Sequence, residues 1–139
     1  MDWKHKDMWS IRGKDFMVQI SRHGEPAHEE RTGCYDEEGP HRWCVYAYIY
    51  PKHPHFAAFK GTDLWQEAAG VLPLHAGCSF LTYHRGDEGQ ILSVQVGCDY
   101  NHLYDDRFTR QATKDEAYEV FEDAEQLVAQ LTNMVEVSA

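Results

Sequence analysis

Nine histidines in 139 residues are the first chemical feature of this sequence. His53, His55, His75, His84 and His102 fall near predicted strand ends or loops, with Asp99, Asp105 and Asp106 as companion carboxylates. Imidazole and carboxylate together suit zinc, iron or nickel. The spacing argues against a dedicated site. There is no HExxH motif, and His28-Glu29-Glu30 has no second histidine four residues on. His53-Pro54-His55 turns two rings to one side only in an extended segment. Ordinary surface or half-buried histidines are the commoner outcome, so no metal and no cofactor is expected. The rival reading is a small metal-binding protein or metal-dependent hydrolase using His53, His55, His75 and His102.

Cysteine chemistry is the next candidate. Cys78 stands three residues after His75 in HAGCSF. A strand is expected there with Cys78 facing inward, where a thiol acts as a small inert hydrophobe. Cys34, Cys44, Cys78 and Cys98 form no CxxC pair, and the charged start MDWKHKDMWS has no secretory apolar core. Reduced thiols in a cytoplasmic protein follow. Asp105 and Asp106 are adjacent and therefore poorly placed to converge on one atom; a solvated loop or contact epitope suits them better. Gly-rich phosphate loops, serine elbows and kinase signatures are absent.

The stretch RWCVYAYIYPKHPHFAAF, from Arg42 to Phe59, organises the rest. Trp43, Val45, Ala47 and Ile49 point one way, and Cys44, Tyr46, Tyr48 and Tyr50 the other. Two apolar or aromatic faces mark a central strand. Pro51 ends it by removing a ladder donor. Tyr46 and Tyr48 are candidate partner-binding residues, because tyrosine offers large contact area with few rotors and a polar tip. Leu81 and Tyr83 would extend their side. Alternatively, the N-terminal Trp-rich segment covers that face and makes a second core layer.

The elements that position these groups follow from periodicity. Asp15 to His23 alternates weakly and reads as a first strand, pairing antiparallel with 42–50 across a long Gly/Pro/acid-rich loop. Thr62 is a candidate N-cap for a helix through Leu64, Trp65, Ala68, Val71 and Leu72, stopped by Gly70 and Pro73. Gly77–His84 and Gln90–Tyr100 form a hairpin around Asp87-Glu88-Gly89. The expected register sets Cys78 opposite Cys98, Phe80 opposite Val96, Thr82 opposite Val94 and His84 opposite Leu92, with this face meeting the helices. After a polar loop at 101–111, Thr113 to Glu116 matches a capping box. Ala117, Val120, Phe121, Ala124, Leu127, Val128 and Leu131 continue an apolar stripe. The expected fold is a single α+β domain, 1–139, with an irregular segment 1–13. It has a four-stranded, mostly antiparallel sheet in ββαββα order and two helices on one face. No apolar run is long enough to span a membrane.

The net charge is −10, unevenly spread. Residues 1–22 hold five Lys/Arg against three Asp; residues 99–125 hold nine Asp/Glu against three Lys/Arg. This sign argues against direct nucleic-acid binding, which needs cations for phosphate. Such acidity either keeps the chain soluble or imitates nucleic acid toward a basic partner. Candidate contact patches are Glu29, Glu30, Asp36, Glu37 and Glu38, and Asp105, Asp106 and Glu116.

The runs CVYAYIYPKHPHF, PLHAGCSF, VQVGCDYNHLYDDRF and AYEVFEDAEQL resemble a group of uncharacterised small acidic proteins of tailed phages and prophages. The similarity spans about residues 42 to 131. It implies a phage context in an infected bacterial cell, where such proteins are often anti-CRISPR or other anti-defence inhibitors. The implied partner is a host defence protein, such as a nuclease complex with a basic nucleic-acid channel, and the implied activity is inhibition by binding.

Overall fold

The computed structural model describes residues 5–24, 39–59, 65–101 and 105–138. Its architecture is α+β, with one five-stranded antiparallel sheet. Strands β1 (His5–Gly13), β2 (Phe16–Gly24), β3 (His41–Ile49), β4 (Phe80–Arg85) and β5 (Ile91–Asp99) lie in the order β1-β2-β3-β5-β4. Between β3 and β4 come a 3-10 turn (Phe56–Phe59) and helix α1 (Trp65–Gly70). Helices α2 (Asp106–Thr109) and α3 (Tyr118–Ser138) follow β5. No described helix is long and apolar enough to cross a membrane.

The sheet has five strands rather than four because 5–13, expected to be irregular, is β1. It pairs with β2 in unbroken register from His5↔Gly24 to Gly13↔Phe16. The connection is a two-residue turn, Lys14-Asp15, with Asp15 at φ 65°. Aspartate tolerates this left-handed conformation better than most residues. Trp9 does not lie over the tyrosines of β3. It stacks on Trp43 at 5.7 Å and meets the edge of Phe121 at 5.0 Å, on the helix side.

The β4–β5 register differs from the expected one by a single residue. Phe80 pairs with Gly97, Leu81 with Val96, Thr82 with Gln95, Tyr83 with Val94 and His84 with Ser93. The shift arises at the turn end. Arg85 pairs with Ile91 and His84 with Ser93, so Leu92 is the extra residue of a bulge. Gly89 occupies the expected left-handed position at φ 83°. The slip inverts the faces of β4 alone: Val94, Val96 and Cys98 of β5 keep the helix side, and Gln95 stays on the other face, where it is nonetheless only 8% exposed. That burial is tolerated because His84 Nε2 lies 2.7 Å from Gln95 Oε1, and a buried amide is costly only when unpaired.

The core lies between the inner face of the sheet and the helices. Val18, Ala47, Ile49, Val94 and Val96 meet Val120, Ala124, Leu127 and Leu131 of α3, all essentially inaccessible. The α3 stripe is as its spacing predicts. Half of the capping box forms: the Glu116 N–H donates to Thr113 Oγ1 at 3.2 Å, while Glu116 Oε1 accepts from the Ala112 N–H at 3.2 Å, one residue before the expected cap. Regular helix begins only at Tyr118, after one turn, and continues to Ser138. The expected α1 cap, Thr62, lies outside the described residues, and the loop expected at 101–111 contains α2.

The Pro/His elbow after β3 joins sheet to helices through its imidazoles. His53 is 2% exposed. Its Nε2–H donates to the Leu131 carbonyl at 3.0 Å, and its Nδ1 accepts the His55 N–H at 3.0 Å. Both ring nitrogens are therefore used by one neutral tautomer. Burial, the largest cause, lowers the His53 pKa from its ordinary 6.5. Below that pH the unfolded chain therefore binds more protons than the folded one. This contribution to stability is full above pH 6.5 and is lost as pH falls toward the folded pKa. Urea denaturation should show the wild type weakening below that pH. His53→Ala should cost about 1–3 kcal/mol at neutral pH and flatten the slope. An unchanged slope would remove His53 as its source.

Candidate binding face of the sheet

Alternation along β3 puts Cys44, Tyr46 and Tyr48 on the face away from α3. All three are half-buried. The β4 register brings Phe80, Thr82 and His84 to the same face, not Leu81 and Tyr83 as the expected pairing had it. Tyr83 instead reaches the helix side, where its hydroxyl donates to the Phe59 carbonyl at 2.8 Å. Among the described residues, every helical segment packs on that opposite side.

The tyrosine face is built around Gly97. This residue pairs with Tyr46 on one side and Phe80 on the other. A Cβ at Gly97 would collide with the Tyr46 ring and lie 2.6 Å from the Val45 carbonyl oxygen. The missing side chain thus lets Tyr46 lie across the β5 backbone. There it meets the 41%-exposed Phe80 ring at 5.4 Å, near edge-on. One residue pair along, Tyr48 stacks on His84 at 5.8 Å and 24°. The His84–Gln95 hydrogen bond fixes that imidazole from below. The result is an aromatic shelf of four rings whose positions are set by sheet register. Burial, the largest cause, raises the Tyr46 phenol pKa, with Cys44 next; Tyr48 is raised by burial and then by Tyr50. Both hydroxyls therefore stay protonated near neutral pH and present neutral donors and acceptors.

The other candidate residues separate. Asp105 is buried, at 5% exposure, and both its oxygens lie 2.9 Å from His75 Nε2. Asp106 is exposed at the start of α2, so the two carboxylates diverge. The His75 ring stacks on Tyr100 at 4.3 Å, and the Tyr100 hydroxyl donates to Asp123 at 2.7 Å. These contacts clamp the segment before β4 to the end of β5, α2 and α3. Cys98 lies inside this clamp with its thiol pushed up to about 12 by burial, so it is no nucleophile near neutral pH. Cys78 lies before β4, half-buried, and its thiol donates to the Phe80 carbonyl at 3.1 Å.

His53 and His55 are used by the elbow. His55 Nε2–H donates to the Ala68 carbonyl at 2.7 Å. Neither joins His75. Among the described residues, no three His, Cys, Asp or Glu side chains are grouped as a metal site. His102, Glu29, Glu30, Glu37, Glu38 and Asp36 lie outside the described residues. Sequence reasoning missed Phe80, His84 and Gly97 as parts of the shelf. A signal existed: an isolated glycine inside VQVGC marks a close approach over a strand.

Comparison with family models, with curated proteins and with solved structures finds no match to this chain.

Gly97→Ala should dislodge the Tyr46 ring and cost about 1–3 kcal/mol, as overpacking does. Denaturation together with the ring proton shifts of Tyr46 and Phe80 checks this. A variant with wild-type stability and unchanged ring shifts would mean that Tyr46 does not rest on Gly97.

Proposed function

We propose that this protein acts by binding another protein through the Tyr46–Phe80 shelf, as a phage-type inhibitor of a bacterial defence complex. The observation that carries the reading is the aromatic row on the side of the sheet away from the helices. Rings held by register lose little entropy on contact, and well-packed aromatics dominate interface energetics. The charge of −10 supports a partner with a basic surface, such as a nuclease channel, by speeding encounter. Glu29, Glu30, Glu37 and Glu38, in addition to the acids of α3, contribute to that charge, in the role of a nucleic-acid mimic.

The rival reading, a His/Asp metal-binding protein or metal-dependent hydrolase, draws support from His75 and Asp105 alone. A carboxylate holding an imidazole is the usual outer shell of a metal ligand. Stoichiometric zinc, iron or nickel in protein purified without an affinity tag would favour it.

The main test uses purified nuclease complexes of bacterial defence systems. Wild-type protein should bind one of them and block its cleavage. Tyr46→Ala with Phe80→Ala should raise Kd tenfold or more, about 1.4 kcal/mol, mainly through the off-rate. Charge reversal at Glu29, Glu30, Glu37 and Glu38 should slow the on-rate and reduce its salt dependence. A folded double aromatic variant that inhibits like the wild type would remove the shelf from the mechanism.

A further inference from the structure

We infer that the edge of β1 that no other described strand pairs takes an extended, acidic peptide segment by strand addition. One bulky apolar side chain of that segment would enter a pocket between β1 and α3. This surface is distinct from the tyrosine shelf, so the inference stands independently of the function proposed above.

The two edges of the sheet differ. β4 is six residues long, and the bulge at Leu92 of β5 interrupts its pairing between His84 and Arg85. Shortness and bulges are the usual protections of an edge. β1 is nine residues long and pairs with β2 without a bulge. Among the described residues no strand lies on its outer side. Alternate N–H and C=O groups of such an edge point outward and are a template for main-chain pairing.

Beside this edge lies a pocket of about 240 Å³, lined by Trp9, Ile11, Ile20, Phe121, Lys114 and Glu125. Its aromatic wall is held in place, since Trp9 is stacked on Trp43 and edge-on to Phe121. A side chain entering it would meet a preformed surface, which lowers the ordering cost of binding. Strand addition supplies main-chain hydrogen bonds, and a pocket for an alternate side chain supplies selectivity.

Charge selects the occupant. Although the whole chain carries −10, cations stand at both ends of the β1 edge, one of them, Lys114, in the pocket wall. Lys114 lies over the Phe121 ring at 5.2 Å, at the Trp9 end. At the other end of β1, Arg12 and Lys14 are exposed outside the pocket, and Arg12 lies on the face opposite Trp9 and Ile11. None of the three is in an ion pair among the described residues. Asp7 does not offset them, because Arg22 holds it at 2.6 Å. Glu125, one helical turn beyond Phe121, also lines the pocket, so the side chain that enters it is apolar rather than acidic. The matching segment is therefore apolar in the middle and acidic at both ends. Trp9 to Lys14 spans roughly 16 Å of strand, which sets the separation of the two acids.

The probe is a capped peptide, acetyl-ETVLTE-amide, whose glutamates stand five residues, roughly 16 Å, apart on opposite faces of the strand; it is titrated into ¹⁵N-labelled full-length protein. Saturable shifts of the amides from Met8 to Arg12 are expected. N-methylation of alternate peptide bonds should abolish them. Lysine in place of both peptide glutamates, or Lys114→Glu in the protein, should weaken binding at least fivefold. Lys114 is exposed, so this variant tests charge without disturbing the core. An absence of saturable shifts in β1, or equal affinity for acidic and basic peptides, would overturn the inference. So would concentration-dependent self-association that perturbs the same amides without peptide, since it would give the edge to a second copy of the chain.

Discussion

β3 can send its side chains only two ways. With four apolar residues on one side and Cys44, Tyr46 and Tyr48 on the other, a slip of one position would expose Trp43, Val45, Ala47 and Ile49 and drive the tyrosines into α3. The rest of the sheet holds it in the one acceptable setting. Trp43 Nε1–H donates to the Gln111 carbonyl at 2.8 Å, and the Tyr100 N–H donates to the Trp43 carbonyl at 3.0 Å. At the other end the Tyr50 N–H donates to the Asp15 carbonyl at 3.1 Å. The core and the aromatic shelf are thus two consequences of one alternation, set on opposite faces.

Three buried polar side chains follow the same economy. His53, Asp105 and Gln95 each sit where an unpaired group would be costly, and each has a partner. This explains why the histidine-rich composition yields fasteners rather than a catalytic cluster among the described residues. His53 and His55 fasten the elbow to helical carbonyls, His75 closes the clamp on Asp105, and His84 supports Tyr48. Histidine suits this work because its neutral ring offers one donor and one acceptor in a flat apolar body.

The central strand, the α3 stripe and half of the capping box were legible in the sequence because each rests on a period or a local hydrogen bond. β1 was not. Only Trp9 and Ile11 carry its apolar face, Asp7 takes an inward position next to Arg22, and the Lys14-Asp15 turn contains no glycine. The β4 faces were misassigned for a related reason, while those of β5 came out as expected. A bulge at Leu92 leaves the turn chemistry intact while shifting every later pair, and the expected cost of burying Gln95 is offset by His84. Tyr46 and Tyr48 were visible as candidates, but their neighbours Phe80 and His84 depended on that hidden slip. The acidic residues Glu29, Glu30, Glu37 and Glu38 fall outside the described residues, while Asp105 left the surface set through its bond to a histidine thirty positions away.

The two faces of the sheet differ: helices close one, and the other carries the aromatic shelf through which binding is proposed. Ring-by-ring accessibility in the free protein tests this most directly, read by NMR relaxation from a soluble gadolinium chelate. Ring protons of Tyr46, Tyr48 and Phe80 should relax much faster with the chelate present, while those of Phe16, Phe59, Tyr100 and Phe108 should change little. Protection of Tyr46 and Phe80 equal to that of Phe59 would contradict the account, because a covered shelf offers a partner nothing to hold.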